Sequence, residues 1–288
     1  LYVSKRFEED LKYCCQRFSN NAQPELTDEE VMTIYLFAIQ EEQRLKVKHI
    51  HQFANEYLRS WFPVLGSYQA FNNRINRLSE AFKRLISILL TDFVPKDCCL
   101  KTSLLDSMPI ILCSGKRTPK VATELVDKGK CASKGMYYHG LKLHALAFRQ
   151  DNKLPFPEQL LLTPASVNDL TLFKEAWSNL ENRCFYGDKI YHNKEYFNDL
   201  KNEKKSVMLT PVKAVKGQPE VEKQRNKAAD DLFSKAVSKM RQPIESFFNW
   251  LIEKTDIQRA SKVRSTKGLL VHVFGKIAAA FIGLIFNT

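Results

Sequence analysis

Residues 100–110 read LKTSLLDSMPI, and the texture of the chain changes there. An apolar run at 100–105 (LKTSLL) is closed by Asp106 and followed by Ser107, Met108 and Pro109. Further runs follow at 136–148 (MYYHGLKLHALAF), 158–163 (EQLLLT), 183–187 (RCFYG) and 205–210 (KSVMLT). Pro, Gly and Asn punctuate them, the pattern of five short strands. A helix is expected between the third and fourth, over 167–180, and another over 193–202. Strands followed by strand–helix alternation indicate an α/β sheet with helical crossovers.

Upstream, residues 1–93 read as helical. Thr27 to Glu30 forms a T-x-x-E capping box before the apolar run Val31–Phe37. A second helix is expected over 46–60, ending before Pro63. Gly66 and Ser67 open a third over 67–93, with Phe71, Ile75, Leu78, Phe82, Leu85, Ile86 and Leu89 at helical spacing. Its other face carries Asn72, Asn73, Arg74 and Arg77. That face is either a helix-turn-helix base reader or an ordinary solvated surface.

Downstream, 211–227 is polar, basic and turn-rich, an expected loop. Helices should follow over 229–241, 243–254 and 268–287. Pro243 suits a first helical position, which places Glu245 in a first turn.

The chain has 288 residues with 44 Lys and Arg against 32 Asp and Glu, a net charge of +12. Residues 1–100 hold 13 of each sign, so the whole excess lies in 101–288. A basic surface confined to one region suggests a polyanionic partner, and the apolar fraction of 44% excludes a disordered or fibrous chain. The first ten residues, LYVSKRFEED, are half charged, unlike a secretory signal. The chain opens on Leu1, so a short preceding piece is expected. The most apolar stretch, 268–286, contains His272 and Lys276 and reads as a buried helix, with no membrane contact expected. Seven cysteines without CxxC spacing read as free thiols. A zinc set of Cys113, Cys131, His139 and His144 is a weak alternative, since residues five apart on a strand face opposite sides.

Three acidic residues stand where folding alone would not place them: Asp106, Asp188 at the end of Cys184-Phe185-Tyr186-Gly187, and Glu245 in Pro243-Ile244-Glu245-Ser246-Phe247. A carboxylate at a buried strand end is costly without a metal or cation partner. Two strand-end aspartates and a helix glutamate can present oxygens to hard divalent ions. Asp169 and Asp127 read instead as a helix cap and a loop residue.

The blocks Leu104–Ile110, Tyr138–His144, Thr163–Asp169, Tyr186–Tyr191 and Arg241-x3-Glu245 together resemble those of DDE-type bacterial insertion-sequence transposases. The resemblance covers nearly the whole chain. It implies a ribonuclease H-like mixed five-stranded sheet flanked by helices (96–288), preceded by an all-helical, DNA-binding domain (1–95). It implies that Asp106, Asp188 and Glu245 are the catalytic, metal-binding triad, holding two Mg2+ ions that Mn2+ can replace.

The implied activity is cleavage at transposon ends and 3′-hydroxyl strand transfer into target DNA. The implied partners are double-stranded terminal-repeat and target DNA, with a homodimer on DNA, in the bacterial cytoplasm at the nucleoid. Arg241, Lys142, Lys189, Arg74 and Arg77 are the expected DNA contacts, with Lys239, Lys262, Arg264 and Lys267 as further phosphate contacts. Relatives carry a tyrosine where this chain has Ser238 and a lysine where it has Ile252, so those two roles are not carried over. The alternatives are a catalytically inactive DNA-binding descendant that uses the N-terminal helices and the basic face, and a nuclease that cuts without joining.

Overall fold

The computed structural model describes residues 1–15, 25–131, 134–213, 217 and 219–286. Its N-terminal helices are α1 (Tyr2–Arg6), α2 (Lys12–Cys15), α3 (Asp28–Gln40), α4 (Val47–Tyr57), α5 (Tyr68–Ile75) and α6 (Ser79–Asp92). The capping box forms as expected: the Thr27 side chain accepts from the Glu30 N–H, and Glu30 accepts from the Thr27 N–H. The single helix expected over 67–93 is two helices. At their junction the N–H groups of Arg77 and Leu78 bond three residues back, to Arg74 and Ile75, which tightens and ends α5. Residues 16–24 of the expected helical region lie outside the described residues.

The sheet has six strands: β1 (Cys99–Ser114), β2 (Asp127–Cys131), β3 (Met136–Arg149), β4 (Phe156–Pro164), β5 (Cys184–Tyr186) and β6 (Val207–Leu209). Their order is β2-β3-β1-β5-β6, with β4 also paired to β3. β1, β3 and β4 form an antiparallel meander, and β5 and β6 add in parallel to β1. This is the expected ribonuclease H-like mixed sheet with one strand more. β2, Asp-Lys-Gly-Lys-Cys, carries no apolar run that would announce it.

The first strand was expected to stop at Asp106, but β1 continues eight residues further, to Ser114, because β3 pairs with it almost throughout. Pro109 is tolerated inside it because β5 leaves β1 at Leu104, so that only β3 pairs there.

Between β4 and β5 lie α7 (Asp169–Leu172) and a π-type turn over Phe173–Trp177. A 3-10 turn (Lys189–Tyr191) and α8 (Lys194–Lys204) join β5 to β6. The last elements are α9 (Glu220–Thr255) and α10 (Thr266–Phe286). The polar loop expected over 211–227 already turns helical at Glu220, and its residues 214–216 and 218 lie outside the described residues.

Pro243 was expected to open a new helix. α9 instead runs unbroken through it. An interior proline removes one backbone bond and crowds the preceding turn. Here Val237 on one side, and Ile244, Phe247, Phe248 and Leu251 on the other, are all buried, so packing holds both halves in one helix.

The sheet separates two cores. Leu104, Met108, Leu143 and Ala145 pack with the N-terminal helices, α9 and α10. Leu105, Leu146, Phe173, Trp177 and Phe185 pack on the opposite face. By length and composition α10 is able to cross a membrane. In this fold it packs against α6 and α3, with Leu269, Val273, Ile277 and Phe281 buried.

Candidate active site

The parallel pairing of β1 with β5 ends at Leu104↔Tyr186. Asp106 and Asp188 each lie two residues beyond that last pair, so they flank the point where the strands part. Beyond the carboxyl ends of parallel strands is where α/β sheets bind ligands.

β5 ends at Tyr186, and Gly187 follows it. A Cβ there would lie 2.6 Å from the Tyr191 ring and 3.2 Å from the Met208 sulfur. Only glycine lets the 3-10 turn fold against β5. Asp188 caps that turn, its Oδ1 accepting the Ile190 N–H, and both Asp188 and Lys189 are exposed.

Asp106 projects from mid-strand with its side chain 23% exposed. Its Oδ1 accepts the Ser107 N–H at 2.8 Å. Its Oδ2 accepts from Arg241 of α9 at 2.8 Å. The other guanidinium nitrogen of Arg241 donates to Glu245, one turn further along the same helix. Arg241 therefore bridges two of the three expected carboxylates. The third is near enough to be felt. The Asp106 carboxyl stands raised at about 6: burial pushes it up most, Arg241 and the Ser107 N–H pull it down, and the charges of Asp188 and Glu245 push it up. Glu245 does not sit in a first turn as expected. The buried stripe of α9 aims it instead, with Asn249 and Glu253 outward.

The donor set suits a divalent cation. All three groups are hard oxygen donors. Burial raises the Asp106 carboxyl, and Arg241 is the cation paired with it. Among the described residues no three Asp, Glu, His or Cys side chains are drawn together at metal-ligand distance. That includes the zinc set, since His139 lies opposite Cys113 while His144 lies opposite Ser107.

The expected DNA contacts divide. Arg77 and Lys189 are exposed, as are Lys239, Lys262, Arg264 and Lys267. Arg74 is instead paired with Asp28 at 2.6 Å and only 13% exposed. The Lys142 ammonium is turned inward, donating to Asp169 and to the Val167 carbonyl, each at 2.8 Å. Neither Arg74 nor Lys142 presents a free cation in this arrangement.

Asp169 is the residue that sequence reasoning undervalued. Asn168 is the cap of α7, accepting from Leu170, while Asp169 is buried beneath it. Asp127 opens β2 rather than lying in a loop, and its carboxylate is held low by the Ser166 hydroxyl. A usable signal for Asp169 was present: Lys142 interrupts a nearly continuous apolar strand, and a charge there demands a partner.

A family model described as a transposase DDE domain matches residues 98–282. No curated protein and no solved structure matches the chain.

Proposed function

As the chain belongs to the transposase DDE-domain family, and so to the DDE-type insertion-sequence transposases, we propose that Asp106, Asp188 and Glu245 form the centre with which it cuts DNA at transposon ends. The same centre would then join the freed 3′-hydroxyl to target DNA. The observation that carries this reading is the Arg241 bridge: one guanidinium shared by two carboxylates, with a third acidic residue acting on the first.

The chain's own contribution is placement and charge. Asp106 and Asp188 stand at the same offset beyond the last β1–β5 pair, and Glu245 shares Arg241 with Asp106. Arg241 pulls the Asp106 carboxyl down against burial and also donates to Glu245. Two Mg2+ ions, replaceable by Mn2+, supply when bound the activation of the attacking oxygen and the stabilisation of the leaving one. Asp106, Asp188 and Glu245 would hold them.

Lys189, next to Asp188, and Arg241, once released from the carboxylates, lie where a scissile phosphate would need cations. Arg77 on the helical unit of residues 1–95 would contact the terminal repeat, with two copies of the chain acting on paired ends. Contacts of this kind are made largely to phosphates, so affinity should fall steeply with salt.

The test is incubation of the protein with labelled DNA carrying the flanking terminal repeats and Mg2+, scored for cut and for joined products. Cutting and joining that both vanish in Asp106→Asn support the reading. Products unchanged in that variant would overturn it, and cutting without joining would reduce the activity to a nuclease.

A further inference from the structure

A second charged cluster lies on the face of β1 opposite Asp106. Neighbouring residues of a strand point to opposite faces, so Ser107 points away from α9. Ser107 is paired in register with His144, and Pro109 with Lys142. Over them lies Asp169 of α7, its side chain 10% exposed. Its Oδ1 accepts from Lys142 and its Oδ2 from the Ser107 hydroxyl, both at 2.8 Å. His144 is fully buried and bonds Thr163 through Nε2, while its Nδ1 has no partner and lies 3.8 Å from Asp169.

Ser107 of β1 and Lys142 and His144 of β3 thus converge on one buried carboxylate of α7. Among the described residues, Lys142 and His144 bond within this cluster and its backbone. Ser107 reaches out of it, because its N–H donates to Asp106 Oδ1 on the other face.

We propose that Asp169 is a positioning residue for Asp106, acting through Ser107. This rests on the reading of Asp106 as a metal-binding carboxylate. Among the described residues the Asp106 side chain has two tethers, the Ser107 N–H and Arg241. A metal ion or a DNA phosphate competes for the second. The first then remains to fix the carboxylate's rotation. Its direction depends on the Ser107 backbone, which β5 no longer braces, since that pairing ends at Leu104. The bond from the Ser107 hydroxyl to Asp169 supplies the bracing, and the ion pair with Lys142 anchors Asp169. Partners that orient a metal-binding side chain change metal affinity or activity by about 10–100-fold when lost.

Asp169→Asn strands Lys142 in the interior and can fail by misfolding, so Ser107→Ala is the sharper variant. Mn2+ binding to the full chain is followed by electron paramagnetic resonance, alongside thermal melting, in wild type, Ser107→Ala, Ser107→Thr and Asp106→Asn. The expected result is about tenfold weaker Mn2+ binding in Ser107→Ala, near wild-type affinity in Ser107→Thr, and loss in Asp106→Asn. Wild-type Mn2+ affinity in Ser107→Ala alongside loss in Asp106→Asn overturns the positioning role and leaves the site reading intact. A lowered melting temperature with unchanged Mn2+ affinity in Ser107→Ala does the same, since only packing would have changed. Undiminished Mn2+ binding in Asp106→Asn overturns the site reading, and this proposal with it.

Discussion

Asp106 and Asp169 lie against opposite faces of one strand, joined through Ser107, and their surroundings differ in kind. Asp169 has a lysine of its own, a hydroxyl and a place at the start of a helix, and it is nearly sealed from solvent. Asp106 shares the Arg241 cation with Glu245, accepts the Ser107 N–H, and has further acidic charge close by. The first is a completed ion pair, which serves to join β1, β3 and α7. The second is a carboxylate left short of positive charge, which fits the cation-binding role proposed for it. Catalytic centres are where a fold tolerates such incomplete compensation.

The largest effect that separates them is on chemistry. Asp106→Asn, Asp188→Asn or Glu245→Gln should each lower terminal-repeat cleavage by about a thousandfold or more, equivalent to several kcal/mol of lost stabilisation. Asp169→Asn should retain measurable cleavage at saturating Mg2+. A single-turnover cleavage assay decides this, and a fully active Glu245→Gln would remove α9 from the site.

The next effect is on stability, and it has opposite sign at the two positions. Asp169→Asn leaves Lys142 buried beside a neutral amide and should cost about 3–5 kcal/mol in urea unfolding. Asp106→Asn should instead stabilise the metal-free chain at pH 7, by on the order of 2 kcal/mol. Equal losses at both positions would erase the contrast.

The pH dependence sharpens it. Burial raises the folded Asp106 carboxyl to about 6 from 3.8, so the folded chain holds that proton more tightly than the unfolded one. The ionised group therefore costs stability fully above pH 6, and the cost disappears as pH falls towards 4. The gain from Asp106→Asn should be present at pH 7 and nearly gone at pH 4. A gain of the same size at both would mean that charge is not its origin.

The smallest effect concerns Pro243, which lies between Arg241 and Glu245 in α9. Because the helix is already continuous there, Pro243→Ala should raise stability by about 1 kcal/mol, part of the intrinsic penalty of an interior proline. Cleavage should change no more than a few-fold. A large loss of cleavage in the stable variant would mean that the proline itself sets the Arg241–Glu245 geometry.

The sheet was legible because β3, β4 and β5 announce themselves as apolar runs, and the capping box at Thr27 was legible because it is purely local. β1 was read short at Asp106, since a carboxylate and a proline argue against a strand. The long pairing with β3 and the departure of β5, both non-local, override that argument. α9 was read as two helices for a similar reason, its continuity coming from a buried stripe that spans the proline. Asp188 and Asp106 could be singled out as acidic residues ending apolar runs, but their matching offset from Leu104↔Tyr186 is a matter of register. Asp169 was missed because a polar residue at a helix start has a sufficient local explanation. Its real partners are on β1 and β3, far away in sequence.

The three carboxylates should answer together to one kind of ligand. Mn2+ titration of the full chain, followed by electron paramagnetic resonance in wild type and in Asp106→Asn, Asp188→Asn and Glu245→Gln, tests this most directly. The account predicts saturable binding in wild type that each substitution weakens by at least about tenfold. Wild-type affinity in all three variants would contradict it.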